Sequence, residues 1–197
     1  MTSFIPGFLV GFSLILAIGA QNAFVLKYGL RREHVLPIVL TCALSDAILI
    51  TAGVAGFGAL AHAVPWFETA MRYGGALFLI WYGFQNALSA WRGGNGLKGE
   101  GETGTSLRSA LLTILALTWL NPHVYLDTLV LVGSISAQYD NRFAFGAGAV
   151  SASFVFFFAL GYGARLLAPI FAKPAAWRVL DALIALTMWA IALSLLL

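Results

Sequence analysis

Two aspartates, Asp46 and Asp127, and the run Asn121-Pro122-His123 lie inside stretches otherwise apolar enough to cross a bilayer. A carboxylate near the bilayer centre costs about 2.5–3.5 kcal/mol on insertion scales, so each acid is expected to face a cavity or a partner. Asp46 stands about eleven residues into its run, or ~16 Å at the helical rise, which is near mid-membrane. Its helical neighbours Cys42, Ala43 and Gly53 form a small-residue face that another helix or a cavity can approach. Asp46 and Asp127 are read as the two acids deep in spans. The nearest basic residues, Lys27, Arg72, Arg108 and Arg165, sit at span ends, where they are expected to snorkel. The cation that these acids await is then a bound solute, a metal ion or a proton.

Pro122 has no N–H, so the carbonyl of Thr118 loses its helical partner and Asn121 is pushed out of α geometry. Backbone freed at membrane depth is tolerated only where protein buries it or a water-filled cavity receives it. The amides of Asn22, Asn121 and Gln21 offer oxygens to an ammonium and N–H groups to a carboxylate. Capping the broken helices is the simpler role for the asparagines, and the two roles are compatible. Half-helix N-termini at the breaks would favour an anionic group. On a continuous helix Asn121 and Asp127 would lie about 120° apart, at ~100° per residue. Both reach one cavity only if the break re-aims one of them. His123, four residues before Asp127, is expected to orient that aspartate by a hydrogen bond, with a proton relay as the sharper alternative. Gln85-Asn86 is either interhelical glue or a site wall.

These groups need elements to position them. The chain has 197 residues, 60% hydrophobic and 10% charged, against about a quarter charged in soluble domains, so it is an integral membrane protein. Six apolar runs approach the ~20 residues that a helix needs to span: Phe4–Leu26, Val35–Leu60, Thr69–Trp91, Leu107–Ile135, Phe143–Leu167 and Ala175–Leu197. The expected fold is all-α, with residues 1–91 and 107–197 as two three-helix halves. Residues 92–106, rich in glycine, form the tether between them. Nine basic residues fall in the odd loops (Lys27, Arg31, Arg32, Arg92, Lys98, Arg108, Arg165, Lys173, Arg178) and two, Arg72 and Arg142, in the even loops. This places the odd loops, the tether included, in the cytoplasm and both termini outside.

Three spans per half require the halves to be inverted if they share a fold. Weak self-similarity supports this. Gly19-Ala20-Gln21-Asn22 can be set against Thr118-Trp119-Leu120-Asn121, Ala43-Leu44-Ser45 against Ala149-Val150-Ser151, and Ala87-Leu88-Ser89 against Ala192-Leu193-Ser194, all in order. Inverted repeats with helices broken at equivalent points mark secondary transporters, with the site at the repeat interface. Helices 1 and 4 are then the broken pair, interrupted near the midplane at Gly19 and Pro122. Cys42 is expected to pack as a small hydrophobe, and Trp66, Trp91 and Trp177 to form interfacial belts. Phe154 to Phe158 suits lipid or packing.

The pieces Gly19-Ala20-Gln21-Asn22-Ala23-Phe24-Val25-Leu26, Gly29-Leu30, Ser45-Asp46 and Thr118-Trp119-Leu120-Asn121-Pro122-His123-Val124-Tyr125-Leu126-Asp127 resemble those of the LysE-type basic amino acid exporters, over essentially the whole length. The sister homoserine/threonine exporter group carries Pro-Gly-Pro near the first break, where this chain reads Ile18-Gly19-Ala20. That difference favours the lysine/arginine branch. The resemblance implies efflux of L-arginine or L-lysine across a bacterial inner membrane, energised by protons. Its site role carries onto Asn22, Asp46, Asn121 and Asp127. Proton coupling is expected at Asp46 or Asp127, with His123 as a further candidate. Export of a cation against an inside-negative potential requires about 2.3 kcal/mol per charge per 100 mV, work that inward protons would supply.

Neither an enzymatic centre, a cofactor nor a resident metal is indicated, and no nucleic-acid partner. The expected partners are the amino acid, protons and the lipid bilayer, and the sequence leaves homo-oligomerisation open. Two rivals stand beside this reading. A divalent metal cation exporter on the same scaffold would want six or more oxygen ligands. An intramembrane aspartyl hydrolase would use Asp46 and Asp127 as a dyad, although neither lies in a Gly-x-Gly-Asp setting.

Overall fold

The structure is a computed structural model, which describes residues 3–16, 19–57, 65–92 and 106–197. Eight helices follow one another in these segments. They are α1 (Phe4–Ile15), α2 (Ala20–Arg31), α3 (Val35–Ala52), α4 (Pro65–Trp91), α5 (Leu107–Trp119), α6 (Pro122–Ser136), α7 (Arg142–Gly163) and α8 (Pro174–Leu196). Most of the tether expected over 92–106 lies outside the described residues, as do His62 and the side chain of Trp66.

Three helical stretches are long and apolar enough to cross a membrane: Val35–Gly56, Arg142–Leu167 and Pro174–Leu196. Two bent pairs qualify when each is taken as one span: α1 with α2, bent by 82°, and α5 with α6, bent by 61°. The bends fall in the first and fourth of the expected runs. The remaining expected span is the 27-residue α4. It is long enough to cross at the helical rise, but Arg72, Gln85 and Asn86 dilute its apolar character below that of the others. Among the described residues, length and composition alone support up to five spans.

Helix pairing follows the small residues. The most extensive contacts join α4 to α8 and α1 to α7, then α3 to α7. Between α1 and α7 the backbones touch: a Cβ on Gly7 would sit 2.0 Å from the Phe145 carbonyl oxygen, and one on Gly148 would sit 2.1 Å from that of Phe4. Such contact is how transmembrane helices gain packing where no hydrophobic drive operates between them. Near the middle of the molecule, a Cβ on Gly53 would meet the Leu129 carbonyl oxygen at 2.4 Å, so α3 is locked against α6.

The contacts also sort the molecule into two ends. Lys27, near the end of α2, bonds Asn86, near the end of α4, and Asp181, near the start of α8. The Arg72 Nε at the opposite end donates to the Leu195 carbonyl, near the end of α8. The starts of α1 and α7 meet through Phe4 and Gly148. Trp177 departs from the expected belt position. It is 1% exposed, donates from Nε1 to the Phe171 carbonyl at 2.8 Å and lies under the Arg31 guanidinium at 5.6 Å. Trp91, by contrast, is exposed. Cys42 is fully buried and packs within the apolar core cluster, with Gln21 and Asp46 also beside it.

Gly148→Val should destabilise the purified protein by about 1–3 kcal/mol or more, because the neighbour that must yield is backbone. Gly74→Ala, where an added Cβ meets nothing within 4 Å, should leave the protein as stable or slightly more so. Thermal unfolding in detergent compares the two.

Candidate functional site

Each bend is held by side chains that replace lost helical hydrogen bonds. At the first, Asn22 Nδ2 donates to the Ile15 carbonyl at 2.8 Å, tying the start of α2 to the end of α1. Gly19 is the N-cap of α2, in extended geometry and with no side-chain cap. At the second, Asn121 is extended (φ −97°, ψ 108°), its Oδ1 accepts from the His123 N–H at 3.1 Å, and Pro122 opens α6. Tyr125 Oη donates to the Trp119 carbonyl at 2.8 Å, and Trp119 Nε1 donates to Ser45 Oγ at 3.1 Å. The break is therefore bonded to the residue beside Asp46.

Both bends open on one cavity of about 320 Å³, at the lower end of the range for small-molecule sites. Gly19, Gln21, Asn22, Asp46, Asn121, His123 and Asp127 all line it, with Thr128 and an apolar remainder that includes Phe157 and Ile191. Asn121 and Asp127 meet in this space because the bend re-aims the chain and Tyr125–Leu131 winds as a π-helix, a form often found at functional sites. Pro122 lies beside the cavity lining, at the bend itself.

The two acids have different surroundings. Asp46 is 3% exposed and accepts from Ser153 Oγ at 2.8 Å, its sole hydrogen-bond donor among the described residues. Asp127 is half-buried and, among the described residues, has neither a hydrogen bond nor an ion pair. His123 makes no hydrogen bond to it; its Nε2 lies 3.5 Å from Ser194 Oγ on α8 instead. The orienting bond expected from their spacing is absent because His123 sits in the first turn after the bend, turned towards α8. The amide nitrogen of Gln21 is buried without a hydrogen-bond partner, a donor left over in the cavity wall.

A second buried polar cluster was not expected from the sequence. Lys27 does not snorkel. Its Nζ donates to Asp181 Oδ1 at 2.6 Å and to Asn86 Oδ1 at 2.9 Å, and Ser89 Oγ donates to Asp181 Oδ2 at 2.7 Å. Asp181 is thus a third acid within a span, already neutralised by the protein. Asn86 is interhelical glue, while Gln85 is exposed and lines no part of the cavity.

Bent spans that converge on a cavity lined by two acids and two asparagines inside an apolar bundle define a membrane translocator. Residues 12–197 match the profile of the LysE type translocator family, and the chain belongs to that family, one of transporters and not of enzymes. It is 51% identical over 181 residues to a protein of Mycobacterium tuberculosis (strain H37Rv) named "Putative amino-acid transporter", covering 91% of this chain and 90% of that one. It is 43% identical over 194 residues to the arginine exporter protein ArgO of Yersinia enterocolitica, covering 98% and 95%. The ArgO protein of Enterobacter sp. (strain 638) is likewise 43% identical, over 198 residues, covering 99% and 93%. No solved structure matches.

Ser153→Ala removes the one donor to Asp46. A hydrogen bond to a charged group is worth about 1.5–3 kcal/mol, so ligand binding in the cavity should weaken roughly tenfold or more if Asp46 must be held in place. Ser134→Ala, which loses only a bond to its own helix at Val130, should leave binding unchanged. Titration of both purified variants checks the pair.

Proposed function

We propose that this protein exports basic L-amino acids, arginine and/or lysine, from the cytoplasm. The substrate binds between the two halves of the chain, and inward proton movement drives the exchange. The observation that carries this reading is the contrast between the acids. Asp46 and Asp127 share a cavity without a lysine or arginine partner among the described residues, whereas Asp181 has Lys27. Two uncompensated carboxylates suit a guest bearing two cationic groups. The uncapped start of α2 and the amide of Gln21 supply N–H donors for its single carboxylate. Asn22 and Asn121 already serve the bends, and their remaining polar atoms complete the wall. The relatives named as arginine exporters support this cargo over a metal ion. The described residues also contain no group of three histidine, cysteine, aspartate or glutamate side chains placed to hold a metal. Membership of a translocator family sets the hydrolase alternative aside.

The inverted-repeat layout, with halves 1–91 and 107–197 around the tether 92–106, draws support from the helix pairing. Exchanging the halves maps the contact of α1–α2 with α7 onto that of α5–α6 with α3. The same exchange maps the α3–α7 and α4–α8 pairs onto themselves. The residence proposed is the bacterial inner membrane, multi-pass, with both termini on the outer side. The nine basic residues of the odd loops support that orientation. Protons are the coupling ion in this scheme, carried by Asp46 or Asp127 when the substrate has left, with His123 as a relay.

Efflux of labelled arginine from proteoliposomes tests the reading. Asp46→Asn and Asp127→Asn should each lower efflux about tenfold or more, the loss expected when a charge-assisted contact becomes a neutral one. Proton-coupled arginine efflux that survives both changes would refute the assignment.

A further inference from the structure

We propose that the Lys27–Asp181 pair is a gate between the cavity and the end of the molecule that carries the odd loops. This inference rests on the reading of the protein as an exporter of basic amino acids. The pair lies away from the cavity along two of its helices. Gln21, in the cavity wall, precedes Lys27 by six residues of α2, about 9 Å, and Ile191 follows Asp181 by ten residues of α8, about 15 Å. Beside the pair, aromatic rings pack together: Phe24 stacks on Tyr28 at 4.5 Å and leans on Tyr82 at 6.2 Å. A solute leaving the cavity towards the odd loops, or entering from them, has to pass this seam.

The pair also joins the parts that must separate. Helices α4 and α8 form the most extensive pairing in the molecule, and α2 packs chiefly against α7. Lys27 and the Arg31–Trp177 contact tie α2 to the α4–α8 unit. The chemistry of the tie is informative in itself. A buried ion pair holds no more firmly than well-packed apolar residues of the same volume, so firmness alone does not account for it. A charged pair can be opened by a competing charge. Asp181, flanked by Asn86 and Ser89, is a cation seat that Lys27 occupies at rest, and the ammonium or guanidinium of a basic amino acid is a like-charged competitor for it.

The test uses the full chain with Cys42→Ala, Lys27→Cys and Asp181→Cys, joined by a reducible bis-thiol cross-linker and reconstituted in liposomes. The gate requires that cross-linking lower arginine efflux at least tenfold and that reduction restore it, with arginine binding in detergent unchanged. Measurable efflux that runs at the same rate before and after reduction would overturn the gate. A second measurement does not depend on transport. With Ser89→Cys in the Cys42→Ala background, arginine, but not alanine, should speed reaction with a membrane-impermeant thiol reagent. A rate indifferent to arginine counts against the gate even if the arginine efflux of the preceding subsection is intact. If that efflux is absent while arginine still speeds the labelling, the failure lies in the export reading and the gate stands.

Discussion

A helix interrupted inside a bilayer leaves carbonyl and amide groups that water cannot reach, and each must find a partner within the protein. The rest of this structure depends on how that demand is met. Asn22 returns to the Ile15 carbonyl, Asn121 caps the amide of His123, and Tyr125 bonds the Trp119 carbonyl. These bonds brace the bends of 82° between α1 and α2 and 61° between α5 and α6. The bends bring the two asparagines, beside the interruptions, into the lining of one cavity. Structural repair and site formation use the same residues. A substitution at Asn22 or Asn121 therefore cannot be interpreted as a loss of ligand contact alone.

Around this centre the protein treats its buried acids unequally. Asp181 is neutralised by Lys27 and hydrogen-bonded by Ser89, while Asp46 has one hydroxyl and Asp127 is without a hydrogen bond among the described residues. The difference is one of reach. Lys27 is two-thirds of the way along α2 from the cavity lip, directed at the α4–α8 seam, and its ammonium is already engaged there. Electrostatic completion of the cavity is thus left to whatever enters it, while the seam below is complete in itself.

Much of the centre was legible in the sequence because it is encoded locally. Pro122 removes a helical donor wherever it falls, Asn121 must then leave α geometry, and an acid in a hydrophobic run needs a polar neighbour. The readings that failed concern partners distant in the chain. Lys27 and Asp181 are 154 positions apart, and nothing in either neighbourhood distinguishes a snorkelling lysine from a buried one. Trp177 looks like an interfacial residue by position, but Arg31 and the Phe171 carbonyl give both its face and its N–H a partner inside. The π-helical winding of Tyr125–Leu131 left no mark, since its residues are ordinary apolar ones apart from Asp127 and Thr128. His123 shows the limit of helical spacing as a guide: four residues of separation place two side chains on one face without making them bond.

Among the described residues, Asp46 and Asp181 in the interior and Asp127 in the cavity outnumber the one buried basic residue, Lys27, so with its acids ionised the unloaded interior is itself anionic. In the exporter proposed above, voltage would act on the return of the empty site as well as of the loaded one. An inside-negative cell would pull such a site outward, away from the compartment where it would be refilled. On that proposal a carrier of this charge would cycle slowly on its own, and the coupling proton would shorten its turnaround by discharging the carboxylates before they travel back.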